Sequence, residues 1–218
     1  MSLSVAILPI EKKQRLVSLD FFRGLTMAAM VLVNNPGDWG HIYAPLEHSK
    51  WNGCTPTDLI FPFFLFMVGV SIVYAMSSKK DDKHLHKQII LKAFRRALTL
   101  YIIFALLALI PGFDFAHFRI MGVLPRIAIV FFICAFIYIK TIFQQWLWLF
   151  CILLIVYCFL MTVVPVPGIG YAALEPGKNL AAWLDNIILT PKHVWNQTKT
   201  WDPEGILSTL PAIATCLY

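Results

Sequence analysis

Charge is what this chain lacks. Only 14% of its 218 residues are charged, against 59% hydrophobic residues and a mean hydropathy of +0.71. Soluble domains carry roughly a quarter charged residues, so a water-soluble globular protein is excluded at the outset. The charges present sum to +6, but they follow the gaps between apolar runs rather than forming a patch, and no nucleic-acid partner is expected. Metal-ligand spacing is also missing. Of the five cysteines, Cys134, Cys151, Cys158 and Cys216 lie in apolar runs, and Cys54 stands alone in a polar loop. A thiol in an apolar run behaves as a small hydrophobe, and no Cys-x-x-Cys occurs. Neither a disulfide framework nor a metal site is expected. No small-residue cleavage site follows the first apolar run, which Glu11, Lys12, Lys13 and Arg15 precede, so no cleavable secretory leader is expected.

What is present is a series of apolar runs, several near the roughly 20 residues that cross a hydrocarbon core. They extend from about Ser18 to Val33, Asp58 to Met76, Ala97 to Ile110, Ile120 to Ile139 and Trp146 to Val164. Pro36-Gly37, Pro111-Gly112 and the Pro165 to Gly168 turn punctuate them. Thr57 or Asp58 is expected to cap the second run, with Pro62 tolerated in its first turns. A sixth run opens near Glu204 and reaches Tyr218, too few residues to cross at about 1.5 Å each. The expected fold is therefore all-α: a polytopic transmembrane helical bundle of five spans plus the start of a sixth. Residues 1–14 are expected to be a poorly ordered cytoplasmic tail and 15–218 the transmembrane domain, with 169–203 a polar extracytoplasmic loop. The unfinished sixth run carries the expectation that this is the N-terminal part of something longer.

Orientation comes from lysine and arginine. Lys12, Lys13 and Arg15 flank the first span, seven basic residues from Lys79 to Arg96 lie between the second and third, and Lys140 follows the fourth. The alternate gaps hold mainly Lys50, Arg119 and the sparse lysines of 169–203. Positive charge favours the cytoplasmic side, so the N-terminus is expected inside and the loop from Asn34 to Thr57 outside.

That outside loop concentrates the chemistry. Asn34, Asn35, Asp38, His41, Glu47, His48, Asn52 and Asp58 stand between two spans that otherwise need none of them. A histidine with a carboxylate to hold its tautomer makes a general base, and a carboxamide such as Asn34 can donate to a developing oxyanion. Spacing does not choose between His41 and His48. Asp20 and Arg23 are three apart, so they share a face of the first span. They are either a snorkelling anchor pair or a phosphate-binding arginine oriented by an acid. Arg126, beside Pro125 in an apolar run, needs a partner or a cavity, because a charge in a span is costly.

Four blocks, RLVSLDFFRGLTMAAMVLVN, EHSKWNGCTPTDLIFPFFLFMVGVSI, RIMGVLPRIAIVFF and WDPEGILSTLPAIAT, resemble in order the heparan-alpha-glucosaminide N-acetyltransferase family and its bacterial relatives. The resemblance implies an integral membrane acyltransferase, here expected in a bacterial inner membrane. It would move acetyl from cytoplasmic acetyl-CoA, a co-substrate, to a glucosamine-like amino sugar on the far side. It also implies residue roles. His48, which precedes the Trp-Asn-Gly triplet, becomes the active histidine in place of His41, with Asn34 and Asp58 beside it. Asp20, Arg23 and Arg126 would serve the cofactor, Trp51 and Asn52 the substrate, and no metal is implied. The expected partners are the acceptor sugar and the bilayer, and the class also admits a homodimer. The loop from Asn34 to His48 differs from the animal enzyme's glycine-rich version, so the acceptor is not carried over. The alternatives are a sugar-binding or transporter-like membrane protein without acyl transfer, and an inactive fragment.

Overall fold

The structure is a computed structural model that describes residues 16–110 and 112–218; the expected tail at 1–14 lies outside the described residues. These contain seven α-helices and no strand: α1 (Val17–Asn34), α2 (Pro56–Met76), α3 (Lys83–Leu109), α4 (Val123–Lys140), α5 (Phe143–Thr162), α6 (Leu180–Ile188) and α7 (Thr209–Leu217). Four of the helices, α1, α2, α4 and α5, are long and apolar enough to cross a membrane. An all-helical bundle is the arrangement in which each span satisfies its own backbone, which hydrocarbon demands.

The starts of α2, α3 and α6 are set by side chains reaching orphan amides. Asp82 accepts from the His84 amide at 3.0 Å and opens α3, and Asn179 accepts from the Ala182 amide at 2.8 Å and opens α6. α3 begins at Lys83, well before the expected third span at about Ala97, because the Asp82 cap carries the helix through the basic segment. One expectation is corrected here. The cap of α2 is Thr55, with Pro56 at the first helical position and Asp58 in the first turn reaching back to it. Neither Thr57 nor Asp58 is itself the cap.

α4 is the central helix, with half of its residues buried, whereas none of α5 is buried and α1 touches the bundle on one side only. α3 packs along α4, and α7 wedges among α2, α4 and α5, while α1 leans on α2. The core is built from Leu65 and Ile72 of α2, Val130, Cys134, Ala135 and Ile139 of α4, and Ala212, Ile213 and Cys216 of α7. Gly69 lets α7 come close, since a β-carbon there would overlap the Cys216 carbonyl. Small residues are what allow membrane helices such backbone approach.

The bundle has two unlike ends. At one end the 35–55, 112–122 and 163–208 segments meet: the Trp51 indole N–H donates to the Leu174 carbonyl (2.9 Å), and the Ile120 amide to the His193 carbonyl (3.2 Å). At the other end lie the α2–α3 and α4–α5 turns, where the Lys80 ammonium rests over Tyr138 and Trp146 at 4.5 and 4.6 Å. Gly69→Ala tests the tight α2–α7 approach. It is expected to cost about 1–3 kcal/mol, the usual range for overpacking, measured as a lowered unfolding temperature in detergent, with Gly24→Ala, which meets open space, as the silent control.

Candidate active site

The first turn of α2 builds the site. Asp58 lies at the third helical position and its Oδ2 accepts from the Thr55 amide (2.9 Å), the Thr55 hydroxyl (3.0 Å) and the Ser49 amide (3.2 Å). These bonds leave Oδ1 aimed at the loop, where His48 Nδ1 meets it at 2.7 Å. The carboxylate is a quarter exposed and the imidazole two-thirds exposed, so one face of the pair is fixed by protein and the other is open. With Nδ1 engaged by Asp58, Nε2 is the nitrogen left for a reacting group. This is the arrangement in which a carboxylate sets the tautomer of a histidine base or nucleophile.

His41 has a partner too. Its Nδ1 lies 2.6 Å from Asp38 Oδ2, and the His41 ring with the Gly40 amide holds the Asp38 carboxyl below its ordinary range. Both members are largely exposed, however, and Asp38 is three residues away in the same turn rather than on a helix. Asn34 ends α1 at the same end of the bundle; among the described residues no hydrogen bond joins it to His48 or Asp58. Trp51 is half-buried, ties the loop to Leu174, and stands edge-to-face with Trp201 at 5.1 Å between centroids. Asn52 is exposed beside it.

The three expected cofactor residues are not brought together. Arg23 reaches Asp20 at 3.6 Å and donates to the Ser71 hydroxyl at 2.8 Å, far down α2. Arg126 lies in the first turn of α4, at the His48 end, its guanidinium 5.9 Å from the Phe61 ring. Along α2, Phe61 and Ser71 are ten residues apart, about 15 Å at helical rise. Arg126 is buried, and it donates to the carbonyls of Pro203 (3.1 Å) and Gly205 (3.3 Å) and to the Ser208 hydroxyl, leaving its buried Nε–H without an acceptor.

A second polar cluster is absent from the sequence-level expectations. Arg119 donates through Nε and Nη2 to the two oxygens of the fully buried Asp202 side chain at 2.9 and 2.6 Å, and also meets Glu204. Burial works against the Arg119 charge, but the two carboxylates outweigh it and raise its proton affinity above the usual arginine range. Asp185 of α6 accepts from the Ile206 and Asp202 amides at 2.9 and 3.3 Å, and burial pushes its carboxyl up. The signal was the acid–proline–acid–glycine run Asp202 to Gly205, a turn too polar to be left unpartnered beside a span.

Four membrane-length apolar helices with a cap-anchored histidine–carboxylate pair at one end define a helical integral membrane protein. Comparison with known proteins names the family. The profile described as "Heparan-alpha-glucosaminide N-acetyltransferase, catalytic" matches residues 15–191, and the chain belongs to that family. It is 28% identical over 247 residues to heparan-alpha-glucosaminide N-acetyltransferase of Mus musculus, an alignment covering 91% of this chain and 37% of that protein. The Homo sapiens protein of the same name is also 28% identical, with 91% and 36% covered. The chain thus spans a little over a third of the length of these curated relatives.

The Arg119–Asp202 pair, buried on its Asp202 side, gives a stability test. Removing one partner of such a pair costs about 3–5 kcal/mol; with Glu204 still beside Arg119, Asp202→Asn is expected at the low end, and above Glu204→Gln. Thermal unfolding of the two variants in detergent checks the order.

Proposed function

We propose that the chain carries the histidine-bearing part of a transmembrane acetyltransferase, which transfers acetyl from cytoplasmic acetyl-CoA to a glucosamine-like amino sugar on the opposite side. Family membership supports acyl transfer. The observation that carries the residue assignment is the 2.7 Å His48–Asp58 contact, anchored in the start of α2. The N-terminus is assigned to the cytoplasm on the lysine and arginine distribution. The topology is five spans followed by the short apolar α7, with α3 counted as a span whose basic first half lies at the surface. Residues 15–218 are acyltransferase-domain sequence, and 169–203 share the His48 side.

A thioester has a good leaving group, so the protein must position the amine, take its proton and stabilise the oxyanion. His48 Nε2 takes that proton. The same atom can instead accept the acetyl group from sulfur, the thiolate leaving, and pass it to the amine. Asp58 holds the ring and stabilises its charged form in both routes. Asn34, ending the neighbouring helix, supplies the amide donor for the oxyanion, and Trp51 and Asn52 flank the acceptor.

The donor is made on one side and used on the other. From Asp58 to Ser71, the Arg23 partner, α2 rises over thirteen residues, about 20 Å. Arg23, oriented by Asp20, suits a CoA phosphate at the far end, and the long pantetheine arm suits the distance to His48. Arg126 lies at the acyl end, where it holds the 203–208 turn in place beside the site. Acetyl-CoA supplies the activated acyl group; the residues align, deprotonate and stabilise.

The test is labelled acetyl transfer to glucosamine in membranes containing the protein. His48→Ala is expected to lose about 10²–10⁴ in rate, the worth of a positioned acid–base group, while His41→Ala stays within a few-fold of wild type. The reverse result would overturn the assignment, and saturable sugar uptake independent of acetyl-CoA would replace it with the transporter alternative.

A further inference from the structure

The end of the bundle remote from His48 contains a cavity of about 320 Å³ between the last turns of α2, the first half of α3 and Phe131 of α4. Bulk water occupies about 30 Å³ per molecule, so this is room for about ten waters and not a packing flaw. Its floor is apolar, formed by residues such as Ile89 and Ala93, and Lys79, Lys92 and Arg96 stand around it. Ile89, Lys92 and Arg96 recur at three- and four-residue steps, so one face of α3 carries both floor and charge.

These three charges are gathered on one apolar recess, and they differ from the cations that the bundle uses to hold itself together. Arg119 and Arg23 meet carboxylates, and Lys80 is lodged over two aromatic rings. No carboxylate lines the cavity, and none of Lys79, Lys92 and Arg96 is ion-paired among the described residues. Arg96 lies over the Phe131 ring at 5.4 Å, which fixes the guanidinium plane without occupying its N–H fork. Three unpaired cations around an apolar recess, where spans meet the surface, complement a phosphate attached to an apolar body. The same face of α3 continues into Leu100 and the exposed Ile103, a track that an acyl chain can follow and a soluble phosphate has no use for.

We propose that this cavity binds the headgroup of an anionic phospholipid, its phosphate held by Lys92, Arg96 and Lys79 and its glycerol against Ile89 and Ala93. Basic recesses between spans are suited to such headgroups. The proposal stands apart from acetyl transfer and does not need it.

The experiment is native mass spectrometry of the full chain in neutral detergent with phosphatidylglycerol or phosphatidylcholine at equal concentration. Wild type is expected to retain phosphatidylglycerol over phosphatidylcholine by at least about fivefold, a preference in keeping with the attraction of a few basic residues for anionic lipid. Lys92→Gln with Arg96→Gln should bring the ratio to parity, and Lys79→Gln alone should lower it partway. Lys83→Gln with Lys87→Gln removes equal charge from the same helix outside the cavity and should leave the preference intact. Equal loss in that control would show a diffuse surface field and overturn the proposal. So would displacement of the lipid by equimolar desulfo-CoA, which would assign the cavity to a soluble nucleotide.

Discussion

Burying the Arg126 guanidinium is the constraint around which the bundle closes. An unpaired charge in a low-dielectric interior is strongly disfavoured, and α4 presents one in its first turn. The 203–208 turn answers it with two carbonyls and a hydroxyl. In doing so it delivers α7 into the groove among α2, α4 and α5. The turn is itself held from the other side, by Arg119 on Asp202 and Glu204 and by Asp185 on the amides of Asp202 and Ile206. Two arginines on separate segments therefore shape one turn, and that turn seats the helix that completes the core.

The candidate site depends on a smaller version of the same economy. Asp58 meets four donors, three through one oxygen at the helix start and the loop and one through the other at His48. Helix starts favour anionic side chains because amides point out of them unpaired. His41 has an acid at hydrogen-bond distance as well, but that acid belongs to the same exposed turn, so nothing larger holds it in place.

The fold was largely legible from residues: the apolar runs marked α1, α2, α4 and α5 because hydrocarbon leaves few other ways to build a span. The start of α3 was not, since its charges masked a helical pattern that the Asp82 cap made continuous. The polar loop was legible as a candidate site, and the four-block resemblance favoured His48 where spacing alone did not choose. What residues could not reveal was partnership at long range. Arg119 and Asp202 are separated by 83 positions and Arg126 and Ser208 by 82, and no local pattern encodes such pairs. The resemblance grouped Arg23 and Arg126 as cofactor residues; topology puts them toward opposite ends of α2, with Ser71 and Phe61.

The shared carboxylate of Asp58 has a mechanical consequence. The imidazole of His48 is indexed to the first turn of α2 rather than to the loop that carries it in sequence, so a tilt or axial slide of α2 carries the ring with it. Ser71, on the same helix about four turns away, is held by Arg23. Arg23 and His48 contact the same helix, on either side of Pro62. The two ends of the bundle are thus joined by one helix, with Asp58 near its start and Ser71 near its end.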